Sequence, residues 1–135
     1  MKIIINELKK GEKFSSRLKD KIGKAARLAL SNKKGAVSIT FVDDAFIRRL
    51  NKKYRKIDRA TDVLSFPMNE RELLGDVIIS LDTAKRNSKR YKEKFDKEIV
   101  RLVVHGILHL LDYDHEKKNE KIKFFKKQEE LIRLI

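Results

Sequence analysis

The chain has 135 residues and no cysteine, which fits one domain over residues 1–135 and excludes disulfides, disulfide-linked partners and thiolate metal ligands. Apolar residues make up 41% of the sequence and charged residues 40%, which excludes a disordered chain and predicts a hydrophobic core under an ionic surface. The 34 lysines and arginines exceed the 20 aspartates and glutamates and give a formal net charge of +14 at pH 7, a balance that favours a polyanionic partner such as nucleic acid or the ribosome.

Apolar spacing predicts two pairs of a strand and a helix in the first part of the chain. Residues 3–5 form a short apolar run typical of a strand, and residues 18–29 place apolar side chains at helical spacing. Residues 37–41 alternate apolar and polar side chains, as a half-buried strand does. Asp43 or Asp44 can then cap a second helix, whose outer face is basic.

The remaining chain predicts two more strands and then helices to its end. Residues 63–67 and 76–79 are typical of strands and are separated by a polar loop around residues 69–71. After Asp82 the pattern is helical, with a basic segment and then a helix from about Asp96. The inward face of the last helix is assigned to Ile122, Phe125 and Ile132. We therefore expect an α+β fold, with about five helices packed on a small mixed four-stranded sheet.

We expect a cytoplasmic protein without a membrane segment. The apolar run at residues 3–5 is too short for a signal peptide, and no stretch approaches the roughly twenty apolar residues of a membrane-spanning helix.

Heat adaptation is an alternative explanation of the many charged residues. The scarcity of Cys, Met and Gln beside many charges is typical of heat-adapted proteins, but this explains the density of charge better than its positive sign.

All three histidines of the chain lie in one stretch, at His105, His109 and His115. Positions 105 and 109 are one helical turn apart, so both imidazoles project from the same helix face and can hold one cation. Six residues later, His115 stands where the chain can leave the helix and fold back. We interpret the three as ligands of one metal ion, an arrangement that leaves a fourth position open as in catalytic zinc sites.

The glycine after His105 distinguishes this histidine motif from the metal-binding motif of zinc proteases. Zinc proteases with the pattern H-E-x-x-H use the glutamate as general base, and Gly106 stands at its position here. A peptidase mechanism therefore lacks its base. Because glycine inside a helix costs about 1 kcal/mol relative to alanine, Gly106 indicates either another group close to the backbone or tight helix packing.

Three motifs resemble the YbeY family of metal-dependent endonucleases that mature ribosomal RNA. They occur in the family's order and cover most of residues 50–115. They are Leu50-Asn51 with Tyr54-Arg55 leading into Thr61-Asp62-Val63-Leu64-Ser65-Phe66-Pro67, then Leu74-Gly75-Asp76 with Ile79-Ser80, and then His105-Gly106 through Leu108-His109-Leu110 to Tyr113-Asp114-His115. Asp112 departs from the pattern, because the family usually has glycine where we expect the helix to end in a left-handed turn.

The resemblance implies a zincin-like α+β domain with one Zn2+ per chain, held by His105, His109 and His115. It implies an endoribonuclease that matures the 3′ end of small-subunit ribosomal RNA and acts in ribosome quality control. Ribosomal RNA and the small ribosomal subunit are then its partners. Arg55 matches a functionally important arginine of the family.

Hydrolysis of an RNA phosphodiester bond needs side chains that contact the phosphate or accept a proton, besides the metal ligands. A guanidinium can contact two phosphoryl oxygens at once, and Arg55 can do this if its loop faces the metal. Ser65 can contact substrate, or it can simply pack half-buried in its strand. Aspartates are candidates for a general base, although capping and turn roles are common for them. The candidate aspartates are Asp62, Asp76, Asp112 and Asp114.

Two other functions stay open at this point. A non-catalytic ribosome-assembly factor would use the zinc as a structural ion, with a fourth protein ligand in place of an open position. A metallohydrolase of peptides or small molecules would use the same ligands on another substrate. The sequence leaves the oligomeric state open.

Overall fold

The computed structural model describes residues 2–7, 14–31, 33–68, 72–111 and 118–135. Within these ranges the chain forms four strands and five helices, as the sequence predicts. The strands are β1 (Lys2–Glu7), β2 (Ala36–Val42), β3 (Val63–Pro67) and β4 (Leu73–Ser80). The helices are α1 (Ser16–Leu30), α2 (Asp44–Arg55), α3 (Leu81–Arg90), α4 (Phe95–Leu110) and α5 (Lys118–Arg133). None of the helices in these ranges is long and apolar enough to cross a membrane.

The four strands form one mixed sheet in the order β1-β2-β4-β3. The pairs β1 with β2 and β2 with β4 are parallel, while β3 runs antiparallel to β4 at the edge of the sheet. In that antiparallel pair Ser65 lies opposite Val77 and Val63 lies opposite Ile79. The expected small mixed sheet is confirmed, and its antiparallel edge strand is the one that α4 crosses.

The main core lies between one face of the sheet and helices α1, α4 and α5. The alternation predicted for β2 is confirmed, since Val37, Ile39 and Phe41 all point into this core and are fully buried. A smaller apolar cluster lies on the other face, where Ile47 of α2 packs with Ile78 and neighbouring residues. Burial of each such side chain stabilises the fold by roughly 1.5–3 kcal/mol. The central strands are therefore stabilised by apolar packing on both of their faces.

The inward face predicted for α5 is wrong in two of its three residues. Ile122 is 60% exposed and Phe125 is 42% exposed, while Ile132 is buried as predicted. The buried side chains are instead Phe124, Gln128, Leu131 and Ile132. The prediction failed because it followed only apolar residues, and the true inward face contains a glutamine.

Asp44 connects the first turns of α2 and α3. Asp43 is the N-cap of α2, its carboxylate accepting from the Phe46 N–H at 2.8 Å. The Asp44 carboxylate accepts hydrogen bonds from the hydroxyls of Ser80 at 2.6 Å and Thr83 at 2.7 Å, and it pairs with Arg86 at 2.7 Å. Burial on its own would raise the pKa of Asp44, but these hydrogen bonds and the Arg86 charge bring the pKa below its usual value.

We predict that Asp44→Asn lowers the free energy of unfolding at neutral pH by about 1–2 kcal/mol, because it loses charge-assisted hydrogen bonds. A carboxyl group whose pKa is lowered by folding stabilises the protein above its unfolded pKa and loses that effect as the pH falls. The difference between variant and parent should therefore shrink below about pH 4. Urea unfolding at several pH values measures it.

Asp58→Asn is the matched control, because Asp58 pairs with Arg48 on the exposed surface. Exposed ion pairs contribute little to stability, so this variant should unfold close to the parent. An equal effect of the two substitutions would contradict the role of the Asp44 network.

Candidate metal centre and its cleft

His105 and His109 form a close pair on one face of α4. Their Nε2 atoms lie 3.1 Å apart and their ring centroids 4.7 Å apart, with both side chains partly buried. Two nitrogens bound to one zinc ion at about 2.0–2.1 Å in a tetrahedral site lie about 3.3 Å apart. The pair therefore fits as two neighbouring ligands of such an ion.

The predicted third ligand cannot be located beside this pair. His115 lies outside the described residues, as do Asp112 and Asp114, so the expected chain reversal there stays a prediction. Among the residues that are described, no group of three His, Asp or Glu side chains is placed to hold a metal ion. The described part of the site thus contributes two imidazoles.

Two residues of α5 contact the histidine pair, and the sequence reasoning missed both. Gln128 Oε1 lies 2.8 Å from Nδ1 of His105. The ring of Phe124 lies 4.9 Å, centroid to centroid, from each imidazole. A signal was available, because Phe124, Gln128 and Leu131 are spaced by four and three residues like a helix face. A polar residue on an otherwise apolar face indicates a buried polar partner.

Gly106 lies between the two histidines and lets α4 approach the sheet closely. A Cβ atom at this position would overlap the side chain of Val77 and lie 3.2 Å from a methyl group of Val63. The Ser65 hydroxyl donates to the Gly106 carbonyl at 2.8 Å. Tight packing therefore explains the glycine, and Ser65 joins β3 to α4. Together these contacts fix how closely the turn of α4 that carries the two histidines lies to the sheet.

We predict that Gly106→Ala destabilises the protein, although alanine favours helices. Overpacking a close contact costs about 1–3 kcal/mol, which opposes the gain of roughly 1 kcal/mol from helix propensity. Gly23→Ala in α1 is the matched control, because the nearest atoms to its Cβ belong to the flexible end of Arg27. Denaturant unfolding should show Gly23→Ala at least as stable as the parent and Gly106→Ala less stable. Equal gains from both would contradict the packing argument.

A cleft of about 590 Å³ opens in front of the histidine pair. His105, His109, Asp62, Ser65 and Arg55 all line it. The prediction that Arg55 lies in a loop is wrong, since it is the last residue of α2, which ends where the next residue adopts a left-handed conformation. The side chain of Arg55 is exposed and, among the described residues, has no ion-pair partner. A free guanidinium and two imidazoles therefore border one cavity.

Asp62 is one of the four aspartates that the sequence offers as a general base, and it lines the cleft. Its backbone carbonyl accepts from the Ser80 N–H at 2.9 Å, which fixes the segment between α2 and β3. Asp76, another candidate from the sequence, lies within β4 and does not line the cleft. Asp62 also lines a second cleft of about 470 Å³, which His105 borders as well.

Glu98 is a buried carboxylate in that second cleft. It is 4% exposed and accepts hydrogen bonds from Asn87 at 3.1 Å and from Arg101 at 3.3 Å. Burial raises the pKa of Glu98 above its usual value, the two hydrogen bonds oppose this, and the negative charge of Asp62 adds to the rise. Glu98 is thus held in the second cleft by hydrogen bonds from Asn87 and Arg101.

The outer face of α2 carries a group of exposed cations next to Arg55. These residues border a shallow surface groove together with Asp58. They are Arg49, Lys52, Lys53 and Lys56. The ring of Tyr54 is 57% exposed and packs edge-on against Phe66 at 5.2 Å, on the rim of the cleft. Cations and an exposed ring beside the cleft suit a polyanion with aromatic bases.

Comparison with known proteins gives one consistent result. The family model described as Endoribonuclease YbeY matches residues 4–135. The Endoribonuclease YbeY of Aquifex aeolicus is 50% identical over 121 residues, covering 84% of this chain and 81% of that protein. The Endoribonuclease YbeY of Desulforamulus reducens is 36% identical over 146 residues, covering 98% and 95%. A solution structure of a Thermotoga maritima protein superposes with a TM-score of 0.67 at 32% identity, covering 96% of this chain and 86% of that one.

Proposed function

We propose that this chain, which belongs to the YbeY endoribonuclease family, hydrolyses RNA phosphodiester bonds as one zinc-dependent domain over residues 1–135. The observation that carries the proposal is the pair of facing Nε2 atoms of His105 and His109 in a cleft that Arg55 also lines. The family supports a role in maturing the 3′ end of small-subunit ribosomal RNA and in ribosome quality control. That role puts the protein in the cytoplasm, with the small ribosomal subunit as its partner.

The metal ligands we propose are His105, His109 and His115. Neutral imidazoles leave the charge of the ion uncompensated, and two of them already have the spacing that a shared cation requires. A zinc ion held there supplies a Lewis acid that polarises a phosphoryl oxygen and lowers the pKa of water. Of these ligands, His105 and His109 lie on α4, whose packing on the sheet sets their positions.

Arg55 is the residue that we propose contacts the scissile phosphate. Its guanidinium is always charged and can donate two parallel hydrogen bonds to phosphoryl oxygens. It lines the cleft from the end of α2, and the histidines line the same cleft from α4. In this role Arg55 stabilises the extra negative charge that develops on the phosphoryl oxygens.

Asp62 is our candidate for the group that accepts a proton from the attacking water. It is the aspartate among the described candidates that lines the cleft, and one of its carboxylate oxygens can receive the proton there. The exposed cations of α2 bind the neighbouring phosphates of the RNA without reading its sequence. Specificity then comes from the ribosomal context.

We predict that His109→Ala removes most of the bound zinc at pH 7, because a site with one ligand fewer binds zinc far more weakly. Elemental analysis of the purified protein measures the metal content. Lys97→Ala, an exposed change on the same helix, is the control and should keep about one zinc per chain. A full zinc content in all three single histidine variants would refute the ligand assignment.

RNA cleavage measured with and without a chelator tests the activity itself. We expect chelation to abolish cleavage and added zinc to restore it. Zinc-loaded protein that binds RNA without cutting it would support the non-catalytic assembly factor instead. Hydrolysis of peptides without hydrolysis of RNA would support the other metallohydrolase.

We predict that Arg55→Lys lowers RNA cleavage at least tenfold, which is about 1.4 kcal/mol of transition-state stabilisation. Lysine keeps the charge but cannot make the two parallel hydrogen bonds. Arg59→Lys is the matched control, because Arg59 is exposed and does not line the cleft. Zinc content and melting temperature should stay at parental values in both variants. A fully active Arg55→Lys enzyme would exclude this role.

A further inference from the structure

We infer that Gln128 is a positioning residue for the metal centre, because its side-chain carbonyl accepts the N–H at Nδ1 of His105 and so directs the Nε2 lone pair towards the metal. The inference rests on the proposed zinc site and names the residue that prepares one of its ligands. It also places α5, which the sequence motifs do not include, within the site.

The contact is short, and its Gln128 side is buried. Gln128 Oε1 lies 2.8 Å from His105 Nδ1, and the Gln128 side chain is 4% exposed. The two residues are 23 positions apart and lie on α5 and α4. Leu131 and Ile132, one turn further along α5, are buried in the main core and anchor this helix. The hydrogen bond is therefore held in place by the packing of α5.

The chemistry of the two groups determines where the proton lies. A neutral imidazole carries one N–H, and a carbonyl oxygen can only accept a hydrogen bond. With Gln128 accepting, the proton of His105 is on Nδ1 and the lone pair is on Nε2. That lone pair faces Nε2 of His109 across 3.1 Å. His105 thus presents an unprotonated nitrogen at the place where the pair can share a cation.

Phe124 supports the same arrangement from the neighbouring turn of α5. Its fully buried ring contacts both imidazoles, with centroids 4.9 Å from each. The ring limits how far either imidazole can rotate about its side chain. Phe124 thus restricts the orientation of the two rings, while Gln128 selects the neutral tautomer of His105. Groups that orient a ligating histidine in this way typically change metal affinity by about 10- to 100-fold when removed.

Zinc affinity of three variants tests the inference, measured by competition with a chromophoric chelator. Gln128→Leu keeps the size but loses the acceptor, and its zinc affinity should fall about 10- to 100-fold. Gln128→Glu keeps an acceptor and should bind zinc at least as tightly as the parent. Lys126→Ala, an exposed change on α5, should bind zinc like the parent. Parental affinity in Gln128→Leu would overturn the inference.

The tautomer of His105 can also be measured in the metal-free protein. Nitrogen chemical shifts of the imidazoles in the metal-free protein should show His105 with its proton on Nδ1, and Gln128→Leu should shift the population towards Nε2. A parental His105 protonated on Nε2 would overturn the inference even if Gln128→Leu failed to fold. A parent that shows the Nδ1 form but binds no zinc would refute the proposed zinc site, and only the hydrogen bond between His105 and Gln128 would stand.

Discussion

The close contact of α4 with the sheet at Gly106 is the constraint on which the rest of the site depends. The absent Cβ lets the helix backbone approach Val77 and Val63, and the Ser65 hydroxyl closes the contact with a hydrogen bond to the helix. Protein interiors are packed too densely to absorb an extra methyl group there without movement. Both histidines flank this point on the helix, so any outward shift of α4 moves them together, away from β3 and from the segment that carries Asp62.

A second set of contacts reaches the histidines from α5. The sheet fixes the position of the α4 backbone, whereas α5 fixes the imidazole rings through Gln128 and Phe124. Position and orientation are thus set by different parts of the chain. Metal sites need both, because ligand atoms must be in place and must also present their lone pairs.

The sequence predicts the class of fold and the centre of the site because its strongest patterns are local. Alternation in β2, helical spacing in α4 and the His105 to His109 interval each report on a single element and were confirmed as structure. Contacts between elements escaped prediction. The inward face of α5 was assigned by hydrophobicity, but it includes Gln128, whose partner lies 23 residues away. Arg55 was expected in a loop, and the left-handed residue that ends α2 just after it carries no strong sequence signal.

The position of Arg55 depends on the Asp44 network, because a small tilt at one end of α2 displaces the other end. Asp44 fixes the first turn of α2, and Arg55 is the last residue of that helix. Eleven residue steps at 1.5 Å separate them by about 16 Å, so a tilt of about 5° at the fixed end displaces the other end by roughly 1.4 Å. Displacements of about 1 Å can cost a hundredfold in rate when a catalytic group is misplaced. The position of Arg55 at the cleft therefore depends on side chains at the opposite end of α2 that do not line the cleft.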